Sequence, residues 1–463
     1  MNSEHYDLIV IGAGSGARDA ANKAAKEHGA KVVLIEKERW GGSCPNVACT
    51  PTKAYLVAAD LAHDINTLAN RLGVEVGPAT TNLAKVKARK ETLKKPQPKW
   101  VEDLQAAGFD TYPGTATFVD PHTIRVGEAV LTGDKILIAT GSRTAVPPIE
   151  GIDGIDWLDH VTALELEQLP ESLLVVGCGA VGLEFGQAFA RFGSKVTLVD
   201  ALDEIAPHTD GHAAMELREA LEAEGIPIIL GSLVQKVAPR GGRYVATIVP
   251  REGGMEQEVE FERLLLASGR RPNIEDLNLA AAGIETYKLG IVVDERMRTN
   301  VPGIWAVGDV NGQAQFTPVA QYQARIAVED MFRPGEGPAA DYSVLPTAIF
   351  TDPELAGVGL TQMDAEEQGF EAETVVHPLK YVRRASYTDA QHGLFKIVFD
   401  RASRRVLGLH VVAPNASDVV QGLSIAMRLG VTVDELAVAH HVFPTIGEGV
   451  KAAAEQARVT VPA

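Results

Sequence analysis

Two strand–glycine turn–helix–strand units lie far apart in the chain, and a mixed run of strands and helix follows residue 340. Together they predict an α/β fold: two Rossmann-like dinucleotide-binding domains and a C-terminal α+β domain. The length of 463 residues agrees with about three domains. A hydrophobic fraction of 46% supplies ordinary globular cores.

The first unit opens on the apolar run Tyr6–Ile11, which ends in glycines. Ala17–Gly29 has helical composition, and Lys31–Ile35 is a second β-type run. The turn between strand and helix reads Gly12-Ala13-Gly14-Ser15-Gly16-Ala17, with Ala17 at the third small position. Such a turn lets the backbone approach a pyrophosphate, and the helix N-terminus faces its charge. Glu36, followed by Lys37, ends the next strand, where a carboxylate accepts from ribose hydroxyls. The bland alternative is a tight turn without a ligand.

The second unit has Leu173–Val176 as a strand, Val181–Phe192 as a helix and Lys195–Val199 as a strand. Its turn is Gly177-Cys178-Gly179-Ala180-Val181-Gly182, and Asp200 ends the second strand. Residues 201–207 contain no Arg or Lys, so a 2′-phosphate would meet carboxylates there, and NAD is favoured over NADP. Cys178, inside the turn, reads as a small buried residue.

Between the units, Leu83–Lys99 is basic, with Lys85, Lys87, Arg89, Lys90, Lys94, Lys95 and Lys99. We read it as a solvated helix face broken near Pro96 and Pro98, the rival being a nucleic-acid patch. Pro334–Pro338 reads as a linker. Beyond it, Thr347–Phe350, Phe395–Phe399 and Val406–Val412 are β-type and Asp418–Leu429 is helical, the α+β third domain.

Bulk charge excludes several classes. The chain carries 43 basic and 61 acidic residues, net −18, which repels nucleic-acid phosphate and anionic lipid. Three cysteines make no disulfide framework in a chain of this length. No signal peptide fits the start, and no apolar stretch approaches the ~20 residues of a membrane span. The expectation is a soluble cytoplasmic protein without nucleic-acid or membrane partners.

The decisive segment is Gly41-Gly42-Ser43-Cys44-Pro45-Asn46-Val47-Ala48-Cys49-Thr50-Pro51-Thr52-Lys53. Two cysteines with four residues between them have the reach of a reducible bridge. The alternative is two unrelated thiols, against which stand the glycines before the pair and the lysine after it.

With these motifs the sequence resembles the class I pyridine nucleotide–disulfide oxidoreductases, which include dihydrolipoamide dehydrogenase, glutathione reductase and mercuric reductase. The resemblance covers nearly the whole chain. Ala139-Thr140-Gly141 matches the strand leaving the FAD domain, and Gly269-Arg270-Arg271-Pro272-Asn273 the return from the NAD domain. Ala306-Val307-Gly308-Asp309 matches the flavin segment whose aspartate bonds the ribitol. Thr317-Pro318-Val319-Ala320 matches the helix start beneath the flavin, and Leu345-Pro346-Thr347 opens what resembles the dimerisation domain. The resemblance implies FAD on the first turn, Gly12, Gly14, Ser15 and Gly16, with Glu36, Lys37, Gly42 and Ser43. It implies a nicotinamide cofactor on the second turn, a homodimer, and domains at 1–147 and 271–340 (FAD), 148–270 (NAD(P)) and 341–463 (dimerisation). Cys49 becomes the flavin-proximal thiol and Cys44 the interchange thiol. Lys53 and Glu184 fall on the ion pair beside flavin N5.

One stretch departs from the family pattern. Dithiol–disulfide members carry His-Pro-Thr and then Glu, donated across the dimer. Here the stretch is His440-His441-Val442-Phe443-Pro444-Thr445-Ile446-Gly447-Glu448, with Glu448 in place and Phe443 at the acid–base position. Phe moves no proton, and a positioned acid–base contributes roughly 10²–10⁴ in rate. His441 substitutes only if the loop bends differently. Mercuric reductases also lack the histidine, but they deliver metal with a C-terminal cysteine pair. This sequence has no cysteine after Cys178, ends Val459-Thr460-Val461-Pro462-Ala463 and shows no N-terminal metal module. The expectation is therefore against mercury reduction in its known form.

The leading reading is a flavin-dependent NAD(P)H oxidoreductase passing electrons between nicotinamide, flavin and the Cys44–Cys49 pair. The partner is a small-molecule acceptor or dithiol. Rivals are a quinone reductase or transhydrogenase with a peripheral pair, and a redox-sensing binding protein. The retained pair argues against the former and the intact nicotinamide motif against the latter.

Overall fold

The computed structural model describes residues 4–460, with side chains through Val459. The ending at 461–463, read above for its lack of cysteines, lies outside the described residues. The chain divides into two compact units.

The first unit comprises Met1–Thr52, Ala88–Ala145 and Gly269–Ala340. Its sheet has the order Asp110–Pro113, Val32–Glu36, Glu4–Ile11, Ala129–Ile138, Thr123–Val126, Ala116–Asp120, with Ile304–Ala306 also on Ala129–Ile138. Strands Glu4–Ile11 and Val32–Glu36 pair in parallel, Ile11 opposite Ile35. The crossover is the helix Ser15–His28, which buries Ala17, Ala20, Ala21 and Ala24 and stops at Gly29 in the left-handed region. The alanine stripe lets helix and sheet approach closely, and Leu8, Val10 and Leu34 complete that core.

The second unit comprises Lys53–Lys87, Val146–Ser268 and Asp341–Ala463. A parallel sheet runs Ile228–Ile229, Lys195–Val199, Ser172–Val176, Arg263–Leu266, and carries the crossover helix Ala180–Phe192. A five-stranded antiparallel sheet follows, in the order Thr347–Ile349, Glu354–Gly359, Val406–Ala413, Leu394–Asp400, Ala372–Pro378. Helices Ala416–Arg428 and Glu448–Thr460 cover it through Val420, Leu423, Val450, Ala453 and Ala457, packed with Phe395, Ile397 and Val411.

Arg191 organises the middle of the second unit. Its side chain is 2% exposed, and it meets Asp60 Oδ1 at 2.6 Å, Glu224 Oε1 at 2.6 Å and Asp352 Oδ2 at 2.9 Å. Gln187 joins Glu224 to the Asp352 carbonyl with bonds of 2.9 and 2.7 Å.

The basic run breaks before Pro96, as its prolines predict, and Lys90 is the exception to a solvated face. The run forms two helices, Leu83–Thr92 and Gln97–Ala106. Lys90 is buried, with Nζ 2.8 Å from Glu91 Oε1. Lys87 meets Glu167, 80 residues away, at 2.9 Å, and Lys99 meets Asp103 of its own helix at 2.9 Å, so carboxylates compensate part of the charge. Among the described residues, no helix is long and apolar enough to cross a membrane.

Candidate active site

The two glycine turns are built alike. A Cβ on Gly12, at φ +111°, would collide with the Ala139 carbonyl, and one on Gly182 with the Gly177 carbonyl, so neither position admits a side chain. Each turn is held by the carboxylate after the second strand. Glu36 Oε2 accepts from Ala13 N at 3.0 Å, and Oε1 from Glu38 N at 2.8 Å and Arg39 N at 3.1 Å. Asp200 Oδ2 accepts from Cys178 N at 2.5 Å and Oδ1 from Leu202 N at 2.9 Å. A carboxylate has about four acceptor positions, so both retain capacity for ribose hydroxyls. Gly14 and Gly179 stand at the helix N-caps without a side-chain cap, leaving first-turn N–H groups for a phosphate. The turns therefore fit two dinucleotides. Lys37 meets Asp276 at 2.6 Å on the surface.

The segments matched at a distance converge in the first unit. Thr140 and Asn273 exchange hydrogen bonds: Thr140 Oγ1 donates to Asn273 O at 2.8 Å, and Asn273 Nδ2 donates to Thr140 O at 3.0 Å. Gly269 O accepts from Ala145 N at 3.0 Å. Arg270 Nε donates to Ser142 Oγ at 2.7 Å, and Ser142 Oγ to Asp309 Oδ2 at 2.5 Å. Asp309 is thus positioned by Ser142, a residue the sequence did not single out. Gly308 N donates to Gln323 Oε1 at 2.7 Å, which ties the turn to the helix Thr317–Phe332 containing Pro318, Val319 and Ala320.

Cys44 lies in the short helix Ser43–Val47 after Gly42, and Cys49 begins the helix Cys49–His63. Both stand as thiols. Cys49 Sγ is 3.7 Å from Thr317 Oγ1 at the start of its helix. The hydrogen bond with Cys49 draws the Cys44 thiol down to about 6, helped by Thr317 and Arg18 against the opposing effect of burial. Cys178 is fully buried, and desolvation pushes its thiol well up, as expected of an inert residue.

Lys53 and Glu184 do meet, although 131 residues apart. Lys53 Nζ donates to Glu184 Oε1 at 2.9 Å and Oε2 at 2.7 Å. Glu184 also accepts from Phe350 N at 3.0 Å, and the ammonium sits 4.3 Å from the Phe350 ring centroid. Phe350 was not legible as part of this pair.

Residues 440–448 form a loop leading into the helix Glu448–Thr460. Glu448 Oε2 accepts from Thr445 N at 3.1 Å. Phe443 is 70% exposed, Val442 76% and Val438 64%, while His441 is half-buried. The structure also adds a cation that the sequence near Asp200 lacked: Arg251 Nη1 donates to Ala201 O at 2.9 Å.

Two dinucleotide turns with a cysteine pair and a lysine–glutamate pair define a flavin- and nicotinamide-dependent dithiol–disulfide oxidoreductase. Residues 6–324 match the pyridine nucleotide-disulphide oxidoreductase model, and residues 345–454 match the dimerisation domain of that family. The chain belongs to the class I pyridine nucleotide–disulfide oxidoreductases and is an FAD-dependent enzyme. It is 35% identical over 457 residues to the mercuric reductase of Lysinibacillus sphaericus, covering 98% of this chain and 83% of that one. It is 35% identical to the dihydrolipoyl dehydrogenase of Thermus scotoductus, covering 97% of each. The Cu(II) complex of RclA, an HOCl-induced flavoprotein disulfide reductase from Escherichia coli, superposes with a TM-score of 0.87 at 28% identity, covering 98% of this chain and 100% of that one.

Proposed function

We propose that this enzyme oxidises NADH and passes the electrons through FAD to the Cys44–Cys49 pair, and from Cys44 to an acceptor that takes no proton from the protein. The supporting observation is the pair itself: Cys44 is drawn down to about 6 by its bond with Cys49. Bound FAD supplies the electron relay between nicotinamide and the cysteines. Glu184 orients the Lys53 ammonium, with Phe350 on its other side. The Cys44 thiolate attacks one acceptor sulfur, a mixed disulfide forms, and the other sulfur leaves as a thiolate. Cys49 then attacks Cys44 Sγ, releases the second thiolate and closes the bridge. With Phe443 at the proton-donor position, both leaving thiolates take protons from water. Disulfides with acidic leaving groups, thiol-bound soft metal ions and quinones suit such a site better than lipoamide or glutathione disulfide. The same reading places domain boundaries near residues 147, 270 and 340.

The test is steady-state oxidation of NADH and NADPH against these acceptors, with Cys44→Ser in parallel. We expect NADH preference from Asp200, and loss of disulfide and metal turnover in Cys44→Ser with flavin reduction retained. Turnover indifferent to Cys44 with every acceptor returns the enzyme to the quinone reductase or transhydrogenase reading. NADPH preference would assign Arg251 to the 2′-phosphate.

We also propose a homodimer. Ile425 and Leu429, at 62% and 84% exposure, join Val438, Val442 and Phe443 as uncovered apolar side chains of the matched dimerisation domain. Sedimentation of the holoenzyme should give twice the chain mass; a fully active monomer contradicts this.

A further inference from the structure

Beside the loop that carries Phe443 lies a basic and aromatic segment that the reading above does not use. Residues 378–388 contain Lys380, Arg383 and Arg384 and no Asp or Glu, in a chain of net charge −18. Lys380 and Tyr381 lie in the short turn Leu379–Tyr381, and the two arginines open the helix Arg383–Thr388. Tyr387 is one turn on from Arg384, and its hydroxyl donates to Pro444 O at 3.5 Å. Pro444 directly follows Phe443, so helix and loop are neighbours in space although 57 residues separate Tyr387 from Pro444. Arg384 stands over the same tyrosine, 6.0 Å from its ring centroid, and Lys380 lies 5.3 Å from the Tyr381 centroid.

These cations are not there to balance local acids. Among the described residues, Lys380, Arg383 and Arg384 form no ion pair with a carboxylate. The carboxylates nearest in the chain and in the loop have other partners. Asp389, which ends the helix, meets Arg71 at 3.0 Å, and Glu448 accepts from Thr445 N at 3.1 Å. Tyr387 is 49% exposed and Tyr381 68%, so both rings are open to a planar ligand. A guanidinium meets a carboxylate through two parallel hydrogen bonds, and an aromatic face stacks on a second ring. An acidic chain repels anions over most of its surface, so an uncompensated basic patch marks where one can approach.

We propose that Arg384, with Tyr387 beside it, selects the acceptor, and that the acceptor is a disulfide of a planar aromatic thiol bearing a carboxylate. The proposal rests on the reading above, in which the loop of residue 443 meets the cysteine pair across the dimer and Cys44 attacks the acceptor. An acceptor of this kind also suits Phe443, because an acidic arylthiolate leaves readily without a proton. NADH supplies two electrons, the acceptor S–S bond breaks, and NAD⁺, two arylthiolates and one proton result.

The test is NADH-driven turnover by the holoenzyme of two disulfides with acidic leaving thiols: dithiobis(nitrobenzoate), an anion, and dithiodipyridine, which is neutral. Neither needs a proton donor, so a change in their ratio of kcat/KM reads recognition of the carboxylate. Arg384→Gln should lower that ratio, anion over neutral, by roughly tenfold and mainly through KM, and Arg384→Lys should restore part of it. In the natural enzyme, raising the ionic strength from about 0.02 to about 0.3 M should raise KM for the anion more than for the neutral disulfide. An unchanged ratio in a flavin-replete Arg384→Gln enzyme, with Cys44→Ser inactive toward both disulfides, overturns the proposal and leaves the role of Cys44 intact. A KM for the anion that is indifferent to salt overturns it even if Arg384→Gln fails to fold. Turnover of both disulfides by Cys44→Ser at the natural rate removes the underlying reading and the proposal together.

Discussion

Phe443→His should raise turnover of lipoamide or glutathione disulfide by ~10²–10⁴, the usual contribution of a positioned acid–base. The rate of flavin reduction by NADH should not change, because that step does not involve residue 443. The loop is suited to the change. Phe443 is 70% exposed within its own chain and Glu448 already anchors Thr445 N at 3.1 Å, so the change leaves the fold of the single chain undisturbed. The comparison is stopped-flow reduction beside steady-state disulfide reduction for both enzymes. If the dimer forms and turnover stays flat, the loop does not deliver residue 443 to the cysteine pair. His441→Ala in the natural enzyme should have no effect; a large loss would show that His441 supplies the proton.

Arg191→Met should destabilise the protein by ~3 kcal/mol, because three partly exposed carboxylates lose the buried cation they share. At about 2.1 cal/mol/K of unfolding entropy per residue, a loss of that size lowers the Tm of a 463-residue chain by about 3 °C. Asp60, Glu224 and Asp352 share this guanidinium, and Gln187 binds Glu224 and the Asp352 backbone as well. Burial, with Asp352 and Asp64 nearby, raises Asp60 to about 6 despite Arg191. A carboxyl raised in the folded state contributes most when protonated. Its contribution is complete below about 4 and lost as pH rises through about 6. Without Arg191 the carboxylates repel one another more strongly, so the deficit should be smaller at pH 5 than at pH 8. Thermal melts of both holoenzymes at the two pH values measure this. A deficit independent of pH would mean that the lost side-chain packing, and not the uncompensated charge, destabilises the variant.

The sequence by itself determined the glycine turns, the acids after their strands and the cysteine pair. Each is set by local constraints: a backbone that excludes Cβ at Gly12 and Gly182, a strand length that brings Glu36 back to Ala13, and a five-residue step from Cys44 to Cys49. Family pattern extended this to Lys53 and Glu184, whose pairing has no local cause. Tertiary structure alone decided which charges meet. Arg18 lies 82 positions from Trp100, Arg251 lies 50 from Ala201, and neither pair shares a motif. The basic run shows the same limit, since composition gives Lys90 the same reading as Lys85, yet one is buried and the other exposed. Electrostatic effects depend on separation in space and on burial, which packing sets after the chain has folded.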